Sequence, residues 1–146
     1  MSASSEDLLP LLVADVYELA GSFRELGDTI ARKVGQTQAR WQVLSAASTG
    51  DKSVPQISRR LGYARQSVQR VVDLLVKDEV AEYIANPDHK RSPLVRLTSE
   101  GRSQLGKLTA AAEQIHWQLS RGLDRKELEV TLRVLGSLRD GLRNLG

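Results

Sequence analysis

A chain of 146 residues, 40% hydrophobic and 27% charged, has room for one globular domain and enough apolar side chains to bury a core. With 4% aromatic residues that core is aliphatic, and with no cysteine the chain excludes a disulfide framework, thiolate metal sites and a thiol redox switch. The formal net charge of +3 is local: residues 51–102 hold 10 basic and 7 acidic side chains, and elsewhere the signs balance.

The sequence opens acidic at Glu6 and Asp7, where a signal peptide is basic. Its longest early apolar run, residues 8–14, is broken by Pro10, whereas a membrane span needs about 20 apolar residues. A cytoplasmic protein is expected. From Leu9 through Leu12, Val16, Leu19, Phe23, Leu26 and Ile30 to Val34, apolar residues recur mostly in steps of three and four, which predicts a helix over 7–34. Pro10 is tolerated in a first turn, so the helix should start near residue 7 or 8. Gly35 closes it, and Thr37 caps a second helix over 38–47.

Residues 48–52 read as a loop. Ser53 and Gln56 then form a capping box with Pro55 inside the first turn, and Gly62 stops this short helix after Leu61. A further helix is predicted over 65–77. At about 100° per residue, Val68, Val71, Val72 and Leu75 share one arc. Gln66, Gln69, Arg70, Asp73 and Lys77 share a roughly opposite one. Between Val54 and Val76 the basic residues are Arg59, Arg60, Arg65 and Arg70, and the one acid is Asp73. Such a surface suits a polyanion, or is simply a solvated helix face.

Residues 80–85 and 94–98 read as two strands around a basic, turn-rich tip at 86–93, a β-hairpin with a projecting loop. Thr98 caps a helix from 99 to about 122 with a stripe of Leu105, Leu108, Ala112, Ile115 and Leu119. Asp124 and Glu127 make a second capping box, stapled by Leu123 and Leu128. The last helix carries Leu128, Leu132, Leu135, Leu138, Leu142 and Leu145. The expected fold is therefore mainly α with a small β-hairpin wing (α+β), a winged helix-turn-helix flanked by helices. A helix about 10–12 Å across fits a major groove about 12 Å wide, so the polar face over 65–77 can enter DNA with the hairpin tip beside it.

The run Ile57-Ser58-Arg59-Arg60-Leu61-Gly62, the segment Val68-Gln69-Arg70-Val71-Val72-Asp73-Leu74-Leu75, and Asn86-Pro87-Asp88-His89-Lys90-Arg91-Ser92 followed by Leu94-Val95-Arg96-Leu97-Thr98-Ser99-Glu100-Gly101 resemble the MarR family of transcriptional regulators. The resemblance covers nearly the whole length. It implies a single MarR-like domain over 1–146, with a DNA-binding lobe at 37–98 and helical dimerisation regions at 7–34 and 99–146. It further implies a homodimer reading a near-palindromic operator, as a repressor. Three positions depart from the family pattern: Ala64 replaces a capping Ser, Glu79 replaces a Gly, and His89-Lys90-Arg91 replaces the usual acid and two arginines.

Position assigns the candidate roles. Gln66 and Gln69 pair with adenine edges, Arg65 and Arg70 take guanine or phosphate, and Ser67 takes phosphate. Arg91 enters the minor groove with Lys90 on phosphate. Arg59 and Arg60 touch the DNA backbone or are plain solvated arginines. Asp88 is expected to hold the wing by pairing with a nearby Arg. Leu12, Val16, Leu128, Leu135 and Leu142 are candidate dimer contacts. The resemblance also implies release by a small aromatic ligand, for which Tyr17, Trp41, His116 and Trp117 are candidate contacts; as core or surface residues they need no ligand. No catalytic, metal or cofactor site is expected: His89 and His116 are far apart, and Gly50-Asp51-Lys52-Ser53 lacks the upstream glycine of a phosphate loop. The alternative function is a winged-helix protein-interaction module without direct operator binding, against which the basic wing argues.

Overall fold

The computed structural model describes residues 3–146. Six helices and three short strands follow in the order α1 (Ser5–Lys33), α2 (Gln38–Ser48), β1 (Lys52–Ser53), α3 (Val54–Leu61), α4 (Arg65–Lys77), β2 (Ala81–Ile84), β3 (Leu94–Leu97), α5 (Ser99–Ser120) and α6 (Arg125–Leu145). The chain divides into two compact units, one ending at Thr109 and one spanning Ala110–Gly146. No helix among the described residues is long and apolar enough to cross a membrane.

Local chemistry sets most of these boundaries. Helix α1 starts at Ser5, ahead of the expected residue 7 or 8. The reason is a capping box at its head: the Asp7 amide donates to Ser4 Oγ at 3.2 Å, and the Ser4 amide donates to Asp7 Oδ2 at 3.1 Å. Pro10 thus lies inside the helix, where its missing N–H forfeits one intrahelical bond. Gly35, at φ +73°, closes α1, and Thr37 Oγ1 accepts from the Arg40 amide to open α2. Ser53 and Gln56 form their box at the head of α3, and Gly62, at φ +71°, ends that helix. At α6, Asp124 accepts from the Lys126 and Glu127 amides, but the return bond from Glu127 expected of a full box is absent among the described residues.

The wing is a three-stranded antiparallel sheet in the order β1-β3-β2, where sequence predicted two strands. Tyr83 pairs with Val95 and Ile84 with Leu94, leaving residues 85–93 as the loop. On the other edge of β3, Lys52 pairs with Val95 and Ser53 with Leu94. Arg96 Nη2 lies 2.8 Å from Asp51 Oδ2, and this guanidinium holds the Asp51 carboxyl below its ordinary range. As pH falls the pair therefore outlasts an unpaired aspartate, and what it contributes is lost as Asp51 protonates. Leu44, Ile57, Val68, Val72, Leu75, Val80, Val95 and Leu108 form the lobe's buried core. Arg40 of α2 pairs with Asp78 at the end of α4, at 2.8 Å.

The turn from α4 into β2 orients the wing. The Val80 amide donates to the Leu75 carbonyl at 2.9 Å and the Glu79 amide to the Val76 carbonyl at 3.0 Å, the two bonds of a Schellman motif. That motif needs a left-handed residue, and Glu79 supplies it at φ +61°, the one non-glycine with positive φ among the described residues. A β-carbon there costs about 1–2 kcal/mol. Glu79→Gly is thus expected to stabilise the protein by about 1 kcal/mol, since the bond that Thr98 Oγ1 donates to the residue 79 carbonyl survives the change. Urea unfolding checks it; an unchanged or lower midpoint would show that the turn is unstrained.

Candidate nucleic-acid interface

Helix α4 divides as its period predicts. Val68, Val72 and Leu75 are buried, while Arg65, Gln66, Ser67, Gln69 and Arg70 are exposed. Ala64 stands at the N-cap and makes no side-chain cap bond, so the first-turn amides of α4 lack the partner a Ser there would give. The short α3, the Gly62 turn and the buried stripe of α4 together hold the polar face of α4 outward.

The wing loop is organised by Asn86. Its Nδ2 donates to the Ser92 carbonyl at 2.8 Å, and its Oδ1 accepts from the Asp88 amide at 3.1 Å. The expected Asp88–Arg pair is therefore corrected: the Asp88 carboxylate makes no ion pair among the described residues, and a neutral Asn fixes the loop by bonding backbone across it. Lys90 and Arg91 are both exposed at the tip.

Between α4 and the wing lies an open groove of about 460 Å³. Arg65, Gln66 and Gln69 line it from α4, Arg91 and Pro93 from the wing loop, and Pro55 from α3. A second groove runs along α4 past Gln66, Gln69, Arg70, Leu74 and Lys77. A third, on the α3 side of the wing, takes in Arg59, Arg65 and His89. Ser67 and Lys90 are exposed but line none of these grooves.

One polar network crosses the first groove. Gln69 Nε2 donates to Asp73 Oδ1 at 2.9 Å and to the Tyr83 hydroxyl at 2.7 Å, and that hydroxyl donates to Asp73 Oδ1 at 2.6 Å. Burial, and then the neighbouring Asp73 carboxylate, push the Tyr83 hydroxyl up to about 12. It stays protonated, and a donor, at any ordinary pH.

A family model described as MarR family matches residues 35–92. An uncharacterised protein of Mycobacterium tuberculosis, Rv2011c, is 45% identical over 139 residues, covering 95% of this chain and 92% of the relative. A MarR/EmrR family transcriptional regulator from Acinetobacter sp. ADP1 superposes with a TM-score of 0.81 at 24% identity, covering 94% of this chain and 98% of its own. A mutant of MarR from E. coli, solved complexed with operator DNA, superposes with a TM-score of 0.71 at 20% identity, covering 93% and 99%. The chain belongs to the MarR family. That family is one of transcription regulators, and its winged helix-turn-helix is the fold described above.

In this MarR-family chain the four aromatic and histidine candidates for an effector site stand apart in character. Tyr17 is 76% exposed on α1, while Trp41 on α2 is half-buried against the lobe core. His116 is exposed on α5, and Trp117, 59% exposed, carries the Arg121 guanidinium 4.8 Å above its ring. The grooves described above are lined by other residues. Of the dimer candidates, Leu12 is half-buried and Val16, Leu128, Leu135 and Leu142 are exposed within the single chain.

Sequence reasoning missed Tyr83 and the role of Asp73. The Gln69–Asp73 spacing of four was a legible signal, since such pairs meet on one helix face. The position of Tyr83 beside them was not, because it depends on how β2 packs against α4.

Proposed function

We propose that this chain binds double-stranded DNA as a homodimer and represses transcription from a near-palindromic operator. The observation that carries the reading is the shared groove: Arg65, Gln66 and Gln69 of α4 and Arg91 of the wing, from separate elements, face one open space. A helix face of glutamine and arginine is built to read base edges in a major groove, and a cation on a projecting loop reaches phosphate or the minor groove beside it. The E. coli relative held on operator DNA has the same fold, which supports placing α4 and the wing at the duplex. Ser67, Arg70 and Lys90 are assigned to flanking phosphate or base contacts on their exposure. The aromatic effector implied by the family resemblance would act by binding the released state more tightly.

Duplexes selected from fragmented genomic DNA with the purified chain provide the test. Each phosphate neutralised contributes about 0.9 to the slope of log affinity against log salt. Arg91→Ala is expected to weaken binding to all selected duplexes and to flatten that slope by about 1 per lobe. A slope equal to that of the unmodified chain would remove the wing from the interface.

A further inference from the structure

We propose that Tyr83 and Asp73 fix the Gln69 carboxamide with its carbonyl oxygen outward, so that Gln69 selects a base bearing an exocyclic amine in the major groove, adenine or cytosine, over guanine or thymine. This rests on the operator-binding reading and adds to it a preference that α4 alone would not have.

The argument is a count of protons. A carboxylate only accepts, so Asp73 Oδ1 must face a donor; the 2.9 Å contact is therefore to the Gln69 amine, not its carbonyl. The Tyr83 hydroxyl has one proton and donates it to Asp73 at 2.6 Å, so toward Gln69 it accepts. Both hydrogens of the Gln69 amine are thereby engaged inside the protein. A carboxamide turned the other way would set its oxygen against a carboxylate, lone pair to lone pair. What remains to meet DNA is Gln69 Oε1, an acceptor.

An untethered glutamine reads adenine with two bonds, accepting from N6 and donating to N7. The tethered one has no amine hydrogen free for N7. It can accept from N6 of adenine or N4 of cytosine, and it meets guanine O6 or thymine O4 as acceptor against acceptor. The tether is firm because its far end is built into the fold: Tyr83 packs on the lobe core and is held in register opposite Val95. Asp73, four residues beyond Gln69 on α4, completes it. Tyr83 and Asp73 are thus positioning residues, acting on base choice through Gln69.

The test uses the full chain and one selected duplex, varied through all four base pairs at each position. The site read by Gln69 is the symmetric pair of positions whose preference vanishes in Gln69→Ala. There the unmodified chain should bind the adenine and cytosine versions within about threefold of each other, and the guanine and thymine versions about tenfold more weakly. Tyr83→Phe combined with Asp73→Ala frees the amine and should raise adenine over cytosine by about fivefold. Tyr83→Phe alone keeps the ring packing and should move the ratio part of the way. A merely structural role for Tyr83 would weaken all four versions together and leave their ratios unchanged, which overturns the proposal. It is also overturned if the unmodified chain already favours adenine as strongly as the double variant, or if Gln69→Ala alters no base preference while operator binding persists. A chain that binds every duplex equally fails on the operator-binding reading itself, and the base preference goes with it.

Discussion

Gly101→Ala is expected to destabilise the protein by about 3 kcal/mol, at the upper end of what overpacking a buried site does. A β-carbon on Gly101 would lie 2.0 Å from the Val80 carbonyl oxygen and 3.0 Å from its carbon. Those atoms are backbone and have no rotamer to escape into. The same carbonyl accepts from the Thr98 amide, and Thr98 in turn caps α5 by accepting from the Gly101 amide at 3.1 Å. The first turn of α5 is therefore pressed directly on the backbone where α4 turns into β2. Making room there lifts the turn away from Val80 and Leu97, both buried. The opposing gain, alanine over glycine in a helix, is only about 1 kcal/mol. Gly106→Ala supplies the control, because nothing lies within 4 Å of a β-carbon at that position of the same helix. It should be neutral or stabilising by up to about 1 kcal/mol. Urea unfolding at one fixed protein concentration compares the two; equal midpoints would mean that the contact at Val80 is relieved without loss.

Legibility in the sequence followed the range of the interactions. Helix α4 was readable to the residue, because Gly62 before it and the Val68, Val72, Leu75 stripe within it are local signals. Helix α1 starts ahead of the position that Pro10 implies, because the Ser4–Asp7 capping box at its head sets the boundary and Pro10 is carried inside the helix. Strand β1 spans only Lys52–Ser53, too short to carry any alternation, and exists through its backbone pairing to β3. The same division holds at the interface. The outward set on α4 came straight from a 100° period. The Asn86 brace of the wing and the hold of Tyr83 on Gln69 are contacts between residues 6 and 14 apart, made by side chains whose directions no period fixes.

The second large effect is expected at the proposed homodimer contact. Helix α6 buries none of its residues within the chain, and Leu128, Val130, Leu132, Val134, Leu135, Leu142 and Leu145 are exposed. Helix α1 likewise exposes Leu8, Leu11, Val16, Leu19 and Phe23. An exposed apolar face on either helix is characteristic of an association site, and in a homodimer a two-fold axis lets one such face serve both partners. On the proposed operator-binding reading the pairing is needed, since one lobe would read only half of a two-fold operator whose halves lie about one helical turn apart. Linking two binding modules raises affinity about 10²–10⁴-fold over either alone. Leu135→Asp sets a carboxylate in the α6 stripe, where pairing would strip it of water without a partner. The variant is expected to sediment as a monomer that keeps the lobe's fold and loses operator affinity by about a hundredfold or more. Sedimentation and duplex binding on the same sample read both effects. A variant that remains a dimer would move the two-fold contact off α6, leaving the exposed apolar face of α1 as the surface that must supply it.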